Sequence, residues 1–258
     1  MKTGHGPGTE PETEPDRTWK SGGRSGRREE DMALSIPERM AKETGRDYAL
    51  RTLRENIIGL ELAPGSMVSE NELSAQMGLS RTPVREALIE LSKVKIVEIW
   101  PQRGSAIALI DYDLVEEAQF LRKVLECAVA ELCCGMAGEE DIRLLRENIV
   151  RQKLYEDTGA TNERFLALDN DFHAMLFRIA KKSEIHAMMG SLAIHFDRVR
   201  NLTLEDVNLS NVIRDHVELT DAVEAGDGAA ARRIMELHLS RFRVAEKQVR
   251  DRFPQYFK

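Results

Sequence analysis

The sequence has few of the residues that mark secreted or thiolate-bound metal proteins. Three of its 258 residues are cysteine, and aromatic residues make up 5%. Cys127, Cys133 and Cys134 are odd in number and have no CxxC spacing, which argues against a disulfide framework or a thiolate metal site. We therefore expect reduced core thiols in a cytoplasmic protein.

Long apolar runs are missing as well. No run approaches the roughly 18 residues that a membrane span needs, and the first residues lack the apolar core of a signal peptide, so no membrane partner is expected. Apolar residues at 42% and charged residues at 31% predict one large or two ordinary globular domains. The scarcity of aromatics, together with frequent Leu, Ala, Glu and Arg, favours a mainly α fold.

The sequence also lacks an excess of positive charge. The net charge is −7, and the span from Arg46 to Arg103 holds eight basic and eight acidic residues. A nucleic-acid contact would therefore depend on placing charge on one face, since bulk attraction is excluded. Residues 1–44 are rich in Gly, Pro, Ser and Glu and are predicted to be a disordered tail.

The residues after the tail predict a helix-turn-helix. An apolar pattern of helical spacing runs from Tyr48 to Leu60. Ser69 and Glu72 fit a capping box at the start of a second helix, and Gly78 is a natural left-handed end for it. Two helices joined by a tight turn would make the next helix the recognition helix.

The stretch SRTPVREAL, residues 80–88, is that recognition helix. Val84, Ala87 and Leu88 fall on one side at core-facing spacing. Arg81 and Arg85, four residues apart, share a solvent-facing side. The first turn also offers the hydroxyls of Ser80 and Thr82 and has Pro83, a residue suited to that position. Taken alone, this helix is equally compatible with a groove reader and with an ordinary charged surface.

A predicted hairpin then completes a winged helix. Strand-like residues 96–100 and 105–109 flank a turn that ends in Arg103 and Gly104. Arg103 at the tip would be placed to enter an adjacent minor groove. We therefore predict a winged helix-turn-helix of three helices and a two-stranded wing over residues 45–110.

Residues 111–251 contain no convincing strand and predict an all-helical domain. Its six helical segments are expected at about 112–136, 139–157, 162–181, 184–204, 211–225 and 228–250. About 140 residues suffice for a six- to seven-helix bundle with a central cavity.

Four polar residues distinguish this bundle. Asp169 and His173 are four apart on an otherwise apolar helix. His216 and His238 lie about 14 and 16 Å from the turn at Gly226–Asp227, so they would stand at nearly equal heights on antiparallel helices. One carboxylate and three imidazoles suit a divalent transition metal. The alternative is three satisfied core histidines and an ordinary Asp–His hydrogen bond, and spacing alone does not separate the two.

The run from Tyr48 through PG-x(4)-E and SRTPVREAL to Arg103-Gly104 resembles the DNA-binding domain of GntR-family transcription regulators. That resemblance implies DNA contacts from the recognition helix and the wing. The residues concerned are Ser80, Arg81, Thr82, Pro83, Arg85, Arg103 and Gly104. It also assigns a contact to Asn71, which stands where fatty-acid-responsive members have an arginine.

The C-terminal half resembles the FCD effector domain of the FadR-type subfamily. The matching segments are Arg122-x-x-Leu125-Glu126, Asp169-x-x-x-His173 and His216…Met235-x-x-His238. The resemblance implies zinc, nickel or manganese on Asp169, His173, His216 and His238, with a small carboxylate completing the shell. It also implies that Arg122 clamps the effector carboxylate, although an ion pair with Glu126 is equally open.

These features predict a transcription regulator, most often a repressor in this family, that acts as a homodimer on a pseudo-palindromic operator in double-stranded DNA. A small organic acid bound at the metal would change its DNA affinity. Two alternatives remain. The metal itself could be the signal, or the centre could be that of a metal-dependent enzyme, although no separate base, nucleophile or cofactor loop is found.

Overall fold

The structure, a computed structural model, describes residues 33–158, 162–241 and 246–258. Its first part has helices α1 (Gly45–Gly59), α2 (Glu70–Met77) and α3 (Arg81–Lys93), with strands β1 (Met67–Val68), β2 (Val97–Trp100) and β3 (Gly104–Ile107). The strands form an antiparallel sheet in the order β1-β3-β2. The predicted winged helix-turn-helix is confirmed.

Local signals explain where these helices begin and end. Thr44 Oγ1 accepts the Asp47 N–H at 3.1 Å and caps α1. Gly78, at φ +63°, ends α2 in the left-handed region and turns the chain into α3. The capping box at Ser69 is wrong in one detail, because the Ser69 hydroxyl makes no cap hydrogen bond. The first turn of α2 instead carries two carboxylates, which interact favourably with the positive end of the helix dipole.

Strand β1 was not predicted. Met67 pairs with Ala106 and Val68 with Ser105, so β1 lies on the side of β3 that faces away from β2. Two residues are too few for the alternation of apolar and polar side chains that identifies a strand in a sequence. The sheet of the wing therefore has three strands, because β1 pairs with the β2–β3 hairpin from a distant part of the chain.

The predicted tail of residues 1–44 lies mostly outside the described residues, which begin at Ala33. From there to Thr44 the structure differs from the expectation of disorder. The backbone N–H of Ser35 donates to Asn56 Oδ1 at 2.7 Å, and Asn56 Nδ2 donates back to Ser35 O at 2.8 Å. Leu34 buries its side chain beside them. These long-range contacts with a buried amide are invisible to a composition-based prediction.

The second part is built of helices over most of its described residues. Its helices are α4 (Tyr112–Cys133), α5 (Glu139–Thr158), α6 (Asn162–Ile179), α7 (Ser183–Thr203), α8 (Leu209–Glu224), α9 (Gly228–Ser240) and α10 (Glu246–Arg252), with short 3₁₀ turns at Leu204–Asp206 and Pro254–Tyr256. The helix expected at 228–250 is thus described as two helices, with residues 242–245 outside the described ranges. A continuous apolar core joins α4 to α9.

The end of the chain returns to the connection between the two parts. The Ile110 N–H donates to Tyr256 O at 2.8 Å, and the Lys258 N–H donates to Ile110 O at 3.3 Å. Phe257 is buried there. None of the helices within the described ranges combines the length and apolar character that crossing a membrane requires.

Candidate DNA interface and metal centre

Helix α3 presents a mixed apolar and cationic surface. Val84, Ala87 and Leu88 are buried against the winged-helix core, as their spacing predicted. This orientation leaves the side chains of Arg81 and Arg85 65% and 70% exposed. Ser80, Thr82 and Pro83 complete the exposed or half-exposed first turn, and the Ser80 side chain makes no cap hydrogen bond.

One carboxylate lies between the two arginines. Glu70, at the start of α2, has Oε2 3.3 Å from Arg81 Nη2 and Oε1 3.9 Å from Arg85 Nε. Ion pairs at such exposed positions contribute only about 0–1 kcal/mol. A polyanion can therefore replace Glu70 at little cost, while Glu70 keeps both guanidinium groups on the same side.

The wing tip is also exposed. Gln102 and Gly104 both have positive φ, +62° and +103°, and the backbone of Arg103 closes the turn by donating to Trp100 O at 3.0 Å. Arg103 is exposed at this tip. Asn71 is exposed at the start of α2. The structure thus leaves each sequence-predicted DNA contact within reach of solvent, and their individual roles stay predictions.

The four residues predicted to hold a metal converge from three helices. Asp169 and His173 lie on α6, His216 on α8 and His238 on α9, and one ligand atom from each falls within 4.8 Å of the others. All four are buried, at 0–2% exposure. Phe172 stacks on the His216 ring at 4.0 Å between centroids and forms part of the wall.

A relay of amides fixes the orientation of His216. Asn148 Nδ2 donates to Leu168 O at 3.1 Å, so Asn148 Oδ1 is the atom that accepts from Gln152 Nε2 at 2.6 Å. Gln152 Oε1 can then only accept, and His216 Nδ1 lies 2.8 Å from it. This assigns the proton of His216 to Nδ1 and leaves the lone pair on Nε2, inside the centre.

His173 has a carboxylate behind it. Its Nδ1 lies 2.6 Å from Glu126 Oε2, and the other oxygen of Glu126 accepts from Arg122 Nε at 2.6 Å. Arg122, the residue predicted to clamp an effector, is therefore in ion-pair contact with Glu126 and linked through it to a predicted ligand. Burial alone would raise the pKa of Glu126, but Arg122 and His173 outweigh burial and hold that pKa well below its usual range.

His238 is backed by a third side chain. Its Nδ1 is 3.9 Å from Asp215 Oδ2, and Asp215 accepts two hydrogen bonds from Arg241, at 2.8 and 3.0 Å. With Nδ1 facing outward, the Nε2 atoms of His173 and His238 approach to 3.0 Å. Two ligands on one metal at metal–nitrogen distances of about 2.0–2.1 Å stand roughly 3.0–3.4 Å apart, which this separation matches.

Both oxygens of Asp169 lie near a candidate ligand. Oδ2 forms a buried ion pair with Arg200 on α7 and lies 3.8 Å from His173 Nε2, while Oδ1 lies 3.5 Å from His216 Nε2. Neither Oδ1 nor His216 Nε2 has a hydrogen-bond partner among the described residues. Both atoms are acceptors: Oδ1 is a carboxylate oxygen, and His216 Nε2 has a lone pair because the ring carries its proton on Nδ1. Two buried acceptors facing each other without a donor are an arrangement that a cation satisfies.

The protonation states agree with that arrangement. Burial alone would raise the pKa of Asp169, but Arg200 and the imidazoles hold it well below the ordinary value. Burial lowers the pKa of His216 to about 3, although Asp169 acts in the opposite direction. Burial, together with the imidazoles of His216 and His173, lowers the pKa of His238 well below its ordinary value. An ionised carboxylate and neutral imidazoles are the forms that bind a metal.

Sequence reasoning missed the residues behind the ligands. Gln152, Asp215 and Arg200 lie on α5, α8 and α7, and no motif or periodicity singles them out. Only the i, i+4 pairing of Asn148 with Gln152 leaves a sequence signal, and it is shared by many ordinary helices.

Comparison with known protein families gives a match in each of the two parts of the chain. The family model "Bacterial regulatory proteins, gntR family" matches residues 47–107, and the "FCD domain" model matches residues 117–241. The chain belongs to the GntR family of bacterial regulatory proteins. It is a transcriptional regulator with an FCD domain, and it is not an enzyme.

Relatives of this GntR-family chain extend over most of its length. It is 38% identical over 228 residues to an HTH-type transcriptional regulator in an unstable DNA locus of Streptomyces ambofaciens, covering 84% of this chain and 93% of the relative. It is 32% identical over 208 residues to the HTH-type transcriptional repressor RspR of Escherichia coli K12, covering 80% and 91%.

A solved structure supports the fold of this GntR-family chain. Escherichia coli McbR/YncC superposes with a TM-score of 0.69 at 19% identity, covering 84% of this chain and 100% of that one.

Proposed function

We propose that this GntR-family regulator is a repressor whose affinity for its operator is set by a small organic acid bound at a divalent metal in the FCD domain. The observation that carries the proposal is the direction of the ligand atoms. The Nδ1 atoms of His173, His216 and His238 lie 2.6, 2.8 and 3.9 Å from Glu126, Gln152 and Asp215, and one ligand atom from each histidine and from Asp169 lies within 4.8 Å of the others. Repression is supported by the relatives, since RspR and a probable D-xylose utilization operon protein of Paenarthrobacter nicotinovorans are both named transcriptional repressors.

On the DNA side, α3 would lie in the major groove. Arg81 and Arg85 would read guanines or grip phosphates, and Ser80 and Thr82 would fix the register. Phosphates would take the place of Glu70 between the two guanidinium groups. Arg103 and Gly104 at the wing tip would approach the neighbouring minor groove.

In the FCD domain, Asp169, His173, His216 and His238 would hold the metal. A set of one carboxylate and three imidazoles suits zinc, nickel or manganese. The bound metal would supply open coordination positions for a carboxylate. The chain's own contribution is the ring orientation set by the residues at each Nδ1, and a dry wall that includes Phe172.

Arg122 is the proposed contact for the effector's carboxylate. It is buried on α4, and its Cζ lies 5.3 Å from the centroid of the Phe196 ring. Its Nε is in ion-pair contact with Glu126, so an effector would meet the Nη atoms of the same guanidinium. An effector bound at this position would also affect the position of His173, because Glu126 contacts both Arg122 and His173.

A homodimer is proposed because paired recognition helices read two half-sites. Helix α4 offers a surface for it: Phe120, Val124 and Leu132 are 71%, 50% and 45% exposed at four-residue steps, with Ala128 between them. Exposed apolar rows of this kind mark interfaces. A two-fold axis between Val124 and Ala128 would set Phe120 against Leu132 of the second copy, large against large, while the smaller pair meets at the centre.

The metal as the sole signal is the second candidate, because the centre is complete without any further group. Native mass spectrometry of the purified protein would report metal, bound ligand and oligomer together. Binding to a duplex selected from a random-sequence pool would then be measured with zinc, with chelator, and with zinc plus candidate carboxylic acids. Acid-dependent affinity supports the proposal. If zinc alone switches binding and no acid adds to it, the metal is the signal. A metal-free monomer would contradict the proposed function.

A further inference from the structure

Helix α7 carries the contacts between the winged helix and the FCD domain. Four of them are hydrogen bonds between a side chain and a backbone carbonyl. They join Arg54 Nη2 to Gly190 O, His195 Nε2 to Val94 O, Arg198 Nη2 to Ala108 O and Asn201 Nδ2 to Ile58 O, at 2.9, 2.8, 2.7 and 2.7 Å. Side-chain bonds that involve α1, the end of α3 and the wing fix where the DNA-binding part rests on this helix.

The opposite side of the same helix faces the candidate metal centre. Residues 198 and 200 are about 200° apart around a helix axis, so Arg200 points away from the winged helix. Its Nη2 pairs with Asp169 Oδ2, and its Nη1 contacts Asn170 Oδ1 at 2.8 Å and Asp197 Oδ1 at 3.2 Å. Arg200 is 1% exposed. Its contacts with Asp169 and Asn170 therefore join α7 to α6 in the buried interior.

The Asp169 carboxylate connects the candidate ligands to α7. Its Oδ1 lies 3.5 Å from His216 Nε2, and its Oδ2 pairs with Arg200 and lies 3.8 Å from His173 Nε2. A cation bound through Oδ1 would draw the carboxylate inward. The planar fork of a guanidinium follows a carboxylate closely, and close-packed interiors transmit small shifts.

The outer side of α7 is poorly satisfied and therefore sensitive to such a shift. Arg198 is fully buried, and its Nε and Nη1 have no hydrogen-bond partner among the described residues. Burial lowers the pKa of Arg198 to about 10. A buried cation held by one carbonyl is costly. The contact between α7 and the winged helix is therefore less stable than one in which every buried polar group is paired.

We propose that Arg200 is a positioning residue that ties the Asp169 carboxylate to α7, so that a cation in the centre changes how firmly α7 holds the winged helix. The inference rests on the proposed function, because it takes the centre to bind a metal. It goes further by naming the helix and the side chain that connect metal occupancy to the DNA-binding part. No property of the DNA or of the effector enters it.

The test compares two substitutions on opposite sides of α7 in the full-length chain. Arg200→Met removes the guanidinium and keeps an unbranched side chain, and Arg198→Met does the same on the outer side. Hydrogen–deuterium exchange of residues 94–110 would be followed with saturating zinc chloride and with EDTA. We expect zinc to change the wild-type exchange rates about fivefold or more, a coupling of ordinary size. Arg200→Met should lose more than half of that zinc-induced change.

The matched variant gives the complementary result. Arg198→Met removes the hydrogen bond to Ala108 O and leaves that buried carbonyl without its donor, so it should raise the exchange of residues 94–110 without zinc and should keep zinc affinity within about threefold of wild type. Arg200→Lys, which keeps the charge and one contact, should restore part of the zinc response and serves if Arg200→Met folds poorly by circular dichroism. A full zinc response in Arg200→Met, or unchanged exchange in Arg198→Met, would overturn the inference.

The two proposals fail in different ways. Wild-type protein that binds no zinc, nickel or manganese contradicts the proposed function. Wild-type protein that binds zinc but shows unchanged exchange across residues 94–110 contradicts the coupling through α7 alone.

Discussion

Gln152 gives the sharpest test of how the candidate metal centre is organised, because it contacts no predicted ligand except through one hydrogen bond. Its Oε1 accepts from His216 Nδ1 at 2.8 Å, and its own Nε2 is engaged by Asn148. Gln152→Leu keeps the approximate volume and helix propensity and removes both bonds. The substitution leaves every candidate ligand in the chain.

The expected magnitude depends on the burial of His216, which is 0% exposed. Its Nδ1–H would lose its acceptor, and an unsatisfied buried donor costs about 1–3 kcal/mol. In a chain of this size that lowers the melting temperature of the metal-free protein by about 2–12 °C. Losing the residue that orients a ligand typically weakens metal binding 10- to 100-fold, or about 1.4–2.8 kcal/mol.

Zinc affinity would be measured by competition with a chromogenic chelator, and melting by calorimetry in EDTA. Gln119→Leu on α4, outside the centre, is the matched control for the change of side chain and should leave zinc affinity within about threefold of wild type. A Gln152→Leu protein with wild-type zinc affinity and an unchanged metal-free melting temperature would refute the reasoning. It would mean that His216 is not oriented by this relay.

Three further predictions concern other parts of the molecule. Arg81→Ala and Arg85→Ala should each weaken binding to a selected duplex by about 1–3 kcal/mol in a fluorescence anisotropy titration, without altering metal content, because each removes an exposed guanidinium from α3; unchanged affinity in both would refute the assignment of this helix. Phe120→Glu should raise the dimer dissociation constant at least tenfold in sedimentation equilibrium, whereas Val150→Glu on α5 should leave it unchanged. Equal effects of the two substitutions would exclude α4 as the interface. Metal-free protein should lose stability as pH falls from 6.5 toward 4. In this range His216 binds a proton in the unfolded state but stays neutral in the folded state, where its pKa is about 3. The loss from this group is on the order of a few kcal/mol when complete, and a urea midpoint that does not change over that range would contradict it.

The winged helix shows how far sequence patterns reach. Gly78 and the apolar stripe of α3 are local signals, since a left-handed turn and a core-facing side depend on residues a few positions apart. They determined the element order and which side of α3 carries Arg81 and Arg85. Strand β1 escaped because its two residues are a strand only by virtue of pairing with Ala106 and Ser105.

The candidate metal centre shows the limit of those patterns. The i, i+4 spacing of Asp169 and His173, and the equal heights of His216 and His238 above the turn at Gly226–Asp227, were enough to nominate four residues that lie within 4.8 Å in the structure. Helical periodicity gives positions along and around one helix axis. It contains nothing about the angle or the distance between two helices.

The residues that orient the centre depended on that missing information. Gln152, Asp215 and Arg200 meet their histidine or carboxylate partners only because α5, α7, α8 and α9 pack at particular distances around α6. The same holds for α7, whose two sides contact the winged helix and Asp169. The sequence by itself determined the helices, the solvent-facing arginines of α3 and the four candidate ligands. Only the tertiary structure decided which nitrogen of each histidine faces the centre, since that choice depends on the side chains that other helices place beside each ring: Glu126 beside His173, Gln152 beside His216 and Asp215 beside His238.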